Sequence, residues 1–245
     1  MANENLQIIE KSIIKFDRSQ NFTMKHLPFI FLLSLFTSCD FKSSEDYRKE
    51  ANELEKVEEY NEAIILLNKA INKNPNNIKA LLDRAVDKSF IEDYNGAIDD
   101  YSIVIELDPS NGLAFLNRGK NKNRLKDYNG AISDFDKAIS TKGGEFIYMD
   151  KVESSFIETG FEFDAEMEEI RYERGIARYN IGSLKHALED FNFCIQKNYE
   201  LPTSHYWRGI IYLSFNMKDE ACKNLNTSIE LGYVDAKDLA DKNCR

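Results

Sequence analysis

The sequence predicts an all-α protein, a superhelical solenoid of about five helix-turn-helix repeats closed by a C-terminal capping helix. Three observations carry this. A pattern of small and large side chains returns every 34 residues, with Ala63, Ala97 and Ala131 at one phase and Pro75 and Pro109 at another. A period of that length marks stacked helical hairpins. One turn recurs almost verbatim, as Glu59-Tyr60-Asn61-Glu62-Ala63-Ile64, Asp93-Tyr94-Asn95-Gly96-Ala97-Ile98 and Asp127-Tyr128-Asn129-Gly130-Ala131-Ile132. Finally, 42% hydrophobic and 30% charged residues are ordinary for a water-exposed globular chain. The period, rather than the length, then decides for one elongated repeat domain.

In chain order, residues 24–39 come first: a short basic start at Lys25 and His26, an apolar run from Leu27 to Phe36, and Thr37-Ser38 before Cys39. The run is too short to span a bilayer, which takes about 20 residues, and suits the apolar core of a secretory signal. The ending Leu35-Phe36-Thr37-Ser38-Cys39 resembles a bacterial lipoprotein signal, with Phe36 where the usual box has leucine. The resemblance implies that Cys39 is lipidated and becomes the mature N-terminus. Residues 1–23 place Glu4, Glu10 and Asp17 ahead of the apolar run and read as lying upstream of a true start at Met24. The other reading is a cytoplasmic extension before a buried or interfacial helix. Residues 1–38 are thus upstream sequence and signal, and 39–43 a tether.

Repeats one to three occupy 44–77, 78–111 and 112–145. Position 8 of each is Ala51, Ala85 or Gly119, small where the two helices of a hairpin approach, and position 20 is the alanine series on the second helix. Position 24 carries Leu67, Tyr101 and Phe135 for the core. Residues 146–167 interrupt the pattern with Phe146, Tyr148, Phe156, Phe161 and Phe163 among acidic residues. This insert reads either as an ordered filler between repeats or as a docking segment or lid, since long insertions in compact proteins are often functional. Asp164 is a candidate helix cap at its end. The phase resumes with Gly175, Ala187 and Phe191, then Gly209, Ala221 and Leu225, giving repeats over 168–201 and 202–235. Residues 236–245 read as the final helix, a polar cap over the last apolar face.

The small-large-small-proline spacing resembles the tetratricopeptide repeat, over most of the chain after Cys39. Gly143, Tyr199 and Tyr233 stand where the family pattern closes with proline. The resemblance implies a right-handed superhelix whose first helices line a concave groove. Its ligand-facing positions fall on Arg48, Asn52, Leu82, Val86, Phe90, Leu116, Asn117, Lys120, Arg124, Tyr172, Ile176, Tyr179, Tyr206 and Ile210. The early half is mixed polar and basic and the late half aromatic and aliphatic. The aromatics are equally readable as packing between helices. The family's clamp for a terminal carboxylate is not expected: Arg48 and Asn52 suit its first pair, but Asp83, Leu113 and Asn117 hold the other places, and Asp83 would repel a carboxylate.

Charges repeat as well. Arg84, Arg118 and Arg174 sit at position 7 and Asp100, Asp134 and Asp190 at position 23 of the same unit. A structural ion pair within or between hairpins is the main reading, a binding role the other. Arg208 meets Asn224 at that spacing in the last unit. Cys194 falls where other units have Ala70, Val104, Ala138 and Ser228 and reads as a small core residue. Cys222 and Cys244 are expected to form a disulfide in an oxidising compartment, the alternative being two inert thiols.

A formal net charge of -10 argues against nucleic acid as a partner, because neutralising phosphates needs a basic surface. His186 and His205 have no metal-ligand spacing, and no nucleophile elbow, phosphate loop or zinc motif is present. The expectation is therefore a non-enzymatic scaffold without metal or cofactor, anchored by lipid, on the outer membrane facing the periplasm, that binds an envelope protein or peptide. The alternative is a periplasmic binding protein for a small ligand or glycan fragment, held between the late groove and the insert.

Overall fold

Why each hairpin turns where it does is written in its backbone. In the computed structural model, described for residues 41–141 and 166–244, position 15 of every unit has positive φ: Glu58, Glu92, Lys126, Gly182 and Asn216. From the next residue, a backbone N–H reaches back to the first helix, as in Asp93 N to Lys88 O at 2.8 Å and Asp127 N to Lys122 O at 2.9 Å. This left-handed closure satisfies carbonyls that a helix end leaves open. The second helix then starts on a cap: the carboxylates of Asp93 and Asp127 accept from the Gly96 and Gly130 amides at 3.0 Å. A Cβ on either glycine would meet its cap carboxylate, which accounts for the glycine in the repeated turn.

The chain divides into Met1–Lys42 and Ser43–Arg245, and the helices described lie in the second unit. Hairpin one is α1 (Ser44–Glu55) and α2 (Tyr60–Lys73), hairpin two α3 (Ile78–Phe90) and α4 (Tyr94–Leu107), hairpin three α5 (Gly112–Arg124) and α6 (Tyr128–Ser140). After the insert come α7 (Met167–Asn180) with α8 (Leu184–Gln196), α9 (Leu201–Ser214) with α10 (Lys218–Glu230), and the final helix α11 (Ala236–Asn243). Each helix packs on the one before and after it in the order α1 to α11, and α1 also touches α3 as α5 touches α7. First helices therefore approach one another along one side of the stack, its inner face. The domain is an all-α solenoid of five hairpins among the described residues.

The core repeats with the sequence. Ala63, Ala97, Ala131, Ala187 and Ala221 are fully buried, as are Leu67, Phe135, Phe191 and Leu225 at position 24, with Tyr101 nearly so. Position 8 is small because it lies against position 24 of its own hairpin: a Cβ on Gly119 would come within 2.7 Å of the Phe135 ring and one on Gly175 within 3.0 Å of Phe191. Where Tyr199 replaces the closing proline, the link to the next hairpin runs through two left-handed residues, Asn198 and Glu200.

The position 7 arginines each clasp two hairpins. Arg84 donates through Nε and Nη2 to Asp100 at 2.9 and 2.6 Å, and through Nη1 to Asn68 of the preceding hairpin at 2.6 Å. Arg118 repeats this with Asp134 and Ser102, and Arg174 with Asp190 and Asp136. A second cation at position 11 completes each pair: Lys88 on Asp100, Lys122 on Asp134 and Arg178 on Asp190, all at 2.8 Å. Arg208 binds Asn224 at 2.7 Å and Asn192 at 2.9 Å. There position 11 is Tyr212, so a neutral acceptor meets a single cation.

Cys222 and Cys244 are joined by a disulfide that ties α10 to the end of α11. Cys194 is buried with a free thiol that donates weakly to Glu168 O at 3.6 Å, the place where Ser228 donates to Pro202 O one hairpin later. Burial pushes this thiol up to about 12.

Two stability effects follow locally. A non-glycine residue in the left-handed region costs about 1 kcal/mol or more, partly offset by the greater backbone freedom of unfolded glycine. The combined variant Glu58→Gly, Glu92→Gly and Lys126→Gly is expected to gain roughly 0.5 kcal/mol per site in urea unfolding. Reduction of the disulfide is expected to cost about 3 kcal/mol. Hydrogen exchange should place that loss in α10 and α11 first.

Candidate protein-binding face

The inner face carries the groove positions, but they do not form one uniform lining. Leu82 and Leu116 are only 6% and 1% exposed and belong to the core clusters of hairpins two and three. This corrects their expected place among the ligand contacts: at position 5 the side chain points between hairpins rather than into the groove. Arg48 is already engaged, donating to Glu45 at 2.8 and 3.0 Å and to Asp83 at 3.1 Å. Glu45 first, then Asp83, hold its guanidinium more firmly charged than usual. An arginine bound in this way by two carboxylates does not supply a carboxylate clamp.

The open part is a cleft of about 430 Å³ between α3 and α5. Val86, Phe90, Asn117, Lys120 and Arg124 line it, with Ser89, Glu92, Tyr94, Tyr101 and Asn121. Phe90 is 61% exposed and stacks on Tyr60, ring centroids 4.7 Å apart. Ser89 Oγ donates to Asn121 Oδ1 at 3.0 Å across the cleft floor. Lys120 reaches Glu169 on α7 at 2.8 Å. Five of the fourteen sequence-derived groove residues thus meet at one place, where an apolar ring stands beside two cations.

The late aromatics are arranged differently. Tyr179 and Tyr206 both lean on Trp207, at 5.1 and 5.8 Å, and Tyr206 also meets Tyr233 at 5.0 Å. Trp207 stacks nearly parallel on Phe191 at 6.0 Å, and Tyr172 approaches Phe191 edge-on at 5.9 Å. The Tyr172 hydroxyl donates to Thr203 Oγ1 at 2.9 Å, and burial raises its pKa. Ile176 and Tyr179 are partly buried against the same cluster, and Ile210 is likewise half-buried. These rings chiefly pack on one another, and sequence reasoning missed Trp207, the residue that links them.

Cys39 and nearly all of the insert, including Asp164, lie outside the described residues. His186 is exposed and hydrogen-bonds Ser183 at 3.0 Å, while His205 meets Asn224 at 2.9 Å and burial lowers its pKa. Among the described residues no cluster of three or more histidine, cysteine or acidic side chains is placed to hold a metal ion, and no helix is long and apolar enough to cross a membrane.

No protein-family model and no curated protein matches the chain. Solved structures do. MamA from Desulfovibrio magneticus RS-1 superposes with a TM-score of 0.64 at 15% identity, over 77% of this chain and 94% of that one. YrrB, described as a TPR protein with an unusual peptide-binding site, gives 0.60 at 19% identity, over 76% and 85%. PilW, a type IV pilus biogenesis factor, gives 0.58 at 15%, over 80% and 78%. The fold is a tetratricopeptide-type solenoid. At these identities the likeness concerns architecture, and it agrees with the 34-residue period and the position 8 to position 24 packing.

Proposed function

We propose that this chain is a non-enzymatic scaffold for protein-protein interaction in the bacterial cell envelope, tethered by lipid on Cys39 to the outer membrane and facing the periplasm. One observation carries the binding part: the cleft between α3 and α5 presents the exposed Phe90 ring beside Lys120 and Arg124 on the inner face. An aromatic anchor with flanking cations suits a protein segment, since aromatic side chains and arginine dominate interface energetics. The peptide-binding site that names YrrB and the pilus biogenesis that names PilW are in keeping with it. The anchor rests on the run from Leu27 to Cys39. It would confine the scaffold to a surface and raise its effective concentration near partners there.

The test is a photo-crosslinking residue at Phe90, in the full chain and in the same chain with Cys39→Ala, followed by mass spectrometry of the membrane fraction. One envelope protein recovered from the first and lost from the second supports the reading. Membrane association that survives Cys39→Ala removes the anchor. Crosslinks to no protein at all turn the search to small ligands.

A further inference from the structure

The cleft between α3 and α5 has two unlike walls. On the α3 side stand Val86 and Phe90, at positions 9 and 13 of their hairpin. Tyr60 covers the Phe90 ring from hairpin one, and the ring is still 61% exposed. On the α5 side the same two positions are Lys120 and Arg124, with Asn117 three residues before them. Residues so spaced share one helix face. An apolar side chain therefore stands opposite a cation twice over, with Phe90 and Arg124 at the same end of the cleft.

The two cations are not equally engaged. Lys120 gives a donor to Glu169 on α7 at 2.8 Å. Burial raises the carboxyl of Glu173, one turn along α7, and of the two cations it feels Lys120 more than Arg124. Arg124 is exposed, and its guanidinium forms no hydrogen bond or ion pair with any described residue, including Glu92, the one carboxylate in the cleft lining. A guanidinium presents five donors in a planar fork that matches a carboxylate. The α5 wall thus lacks an acceptor where the α3 wall offers a ring, and rings pair with rings in offset or edge-on contact. Packed neighbouring helices lie about 8–10 Å apart, and a cleft holds α3 and α5 no nearer than that. In an extended segment, residues two apart point the same way at a spacing of about 6.7 Å, and the length of a glutamate side chain makes up the difference.

We propose that the cleft receives an extended segment of the partner protein that carries an aromatic residue and a glutamate two places from it, the ring on Phe90 and the carboxylate on Arg124. The inference rests on the inner face being the interaction surface and adds the chemistry of its ligand. A purely apolar segment held by Phe90 alone is the competing outcome, and it would leave Arg124 without a role.

Backbone amide NMR of the full chain at pH 7.5 separates the two. The probe is a blocked pentapeptide with a phenylalanine and a glutamate separated by one serine and flanked by serines. It is compared with the same peptide carrying alanine for the phenylalanine, or glutamine for the glutamate, which keeps the length and removes the charge. Expected are shifts centred on α3 and α5 for the probe, with each altered peptide about fivefold weaker, the scale of an exposed ion pair or a ring pair. Arg124→Gln changes an exposed side chain, so the chain should stay folded and lose only its preference for glutamate over glutamine. Phe90→Ala should lose the preference for phenylalanine over alanine instead. Equal binding of the glutamate and glutamine peptides, shifts elsewhere or none at all, or an unchanged preference in Arg124→Gln overturns the proposal. Failure here with a protein still crosslinked at Phe90 refutes this ligand chemistry alone; the absence of any crosslinked protein refutes the scaffold reading beneath it.

Discussion

Asp190→Ala is expected to cost about 3 to 5 kcal/mol, the penalty for stranding buried charge. Asp190 is 1% exposed and accepts from Arg174 at 2.7 and 3.1 Å and from Arg178 at 2.8 Å. Without it two guanidinium groups share Asp136 alone, at 2.7 and 3.8 Å. Asp190→Asn keeps the acceptor but not the charge, as Asn224 does opposite the single cation Arg208, and should recover part of the loss. Chemical unfolding followed by circular dichroism gives the number. A change below about 1 kcal/mol for the alanine variant would place this network with surface pairs, whose contribution is small.

Phe191→Ala is expected to cost a similar 3 to 5 kcal/mol, the usual range for emptying a buried aromatic site. The ring is fully buried, lies against Gly175 and stacks on Trp207, the chain's single tryptophan. The resulting cavity should admit water to the indole, so a red shift of tryptophan emission is the accompanying signal. Phe191→Leu should cost less than about 1.5 kcal/mol, the scale of volume-tolerant swaps, because Leu67 and Leu225 fill the equivalent place in their own hairpins. An alanine variant with unshifted emission and wild-type stability would contradict the packing described for hairpins four and five.

The hairpins were legible because the features that fix them are local and repeat. A small residue at position 8, alanine at 20 and a large side chain at 24 describe one contact between two helices, and five copies leave little ambiguity. The arginine-aspartate spacing was readable for the same reason. What stayed hidden was contact between hairpins. The Nη1 bonds of the arginines end on Asn68, Ser102 and Asp136, which share a position but not a residue type. The second cation is lysine in hairpins two and three and arginine in hairpin four. The groove was read from a family rule about which positions face inward, and the rule cannot tell Leu116, pinned in the core, from Asn117 beside it, which lines the cleft. Trp207 shows the reverse: it occupies a ligand-facing phase yet serves as the hub of a ring cluster.

The arginine clasps set how this molecule comes apart. A repeat array behaves as a row of units coupled to their neighbours, and its cooperativity is only as strong as its weakest coupling. Arg84, Arg118 and Arg174 each hold a buried aspartate of their own hairpin besides reaching the preceding one, whereas Arg208 has only two neutral amides and leaves the last hairpin without that internal charge pair. The last hairpin is therefore the natural place for the row to break. The Cys222–Cys244 crosslink stands at that end. It works as a selvedge, closing the edge where the electrostatic stitching runs out, so that in a reducing environment the array should ravel from its C-terminus inward.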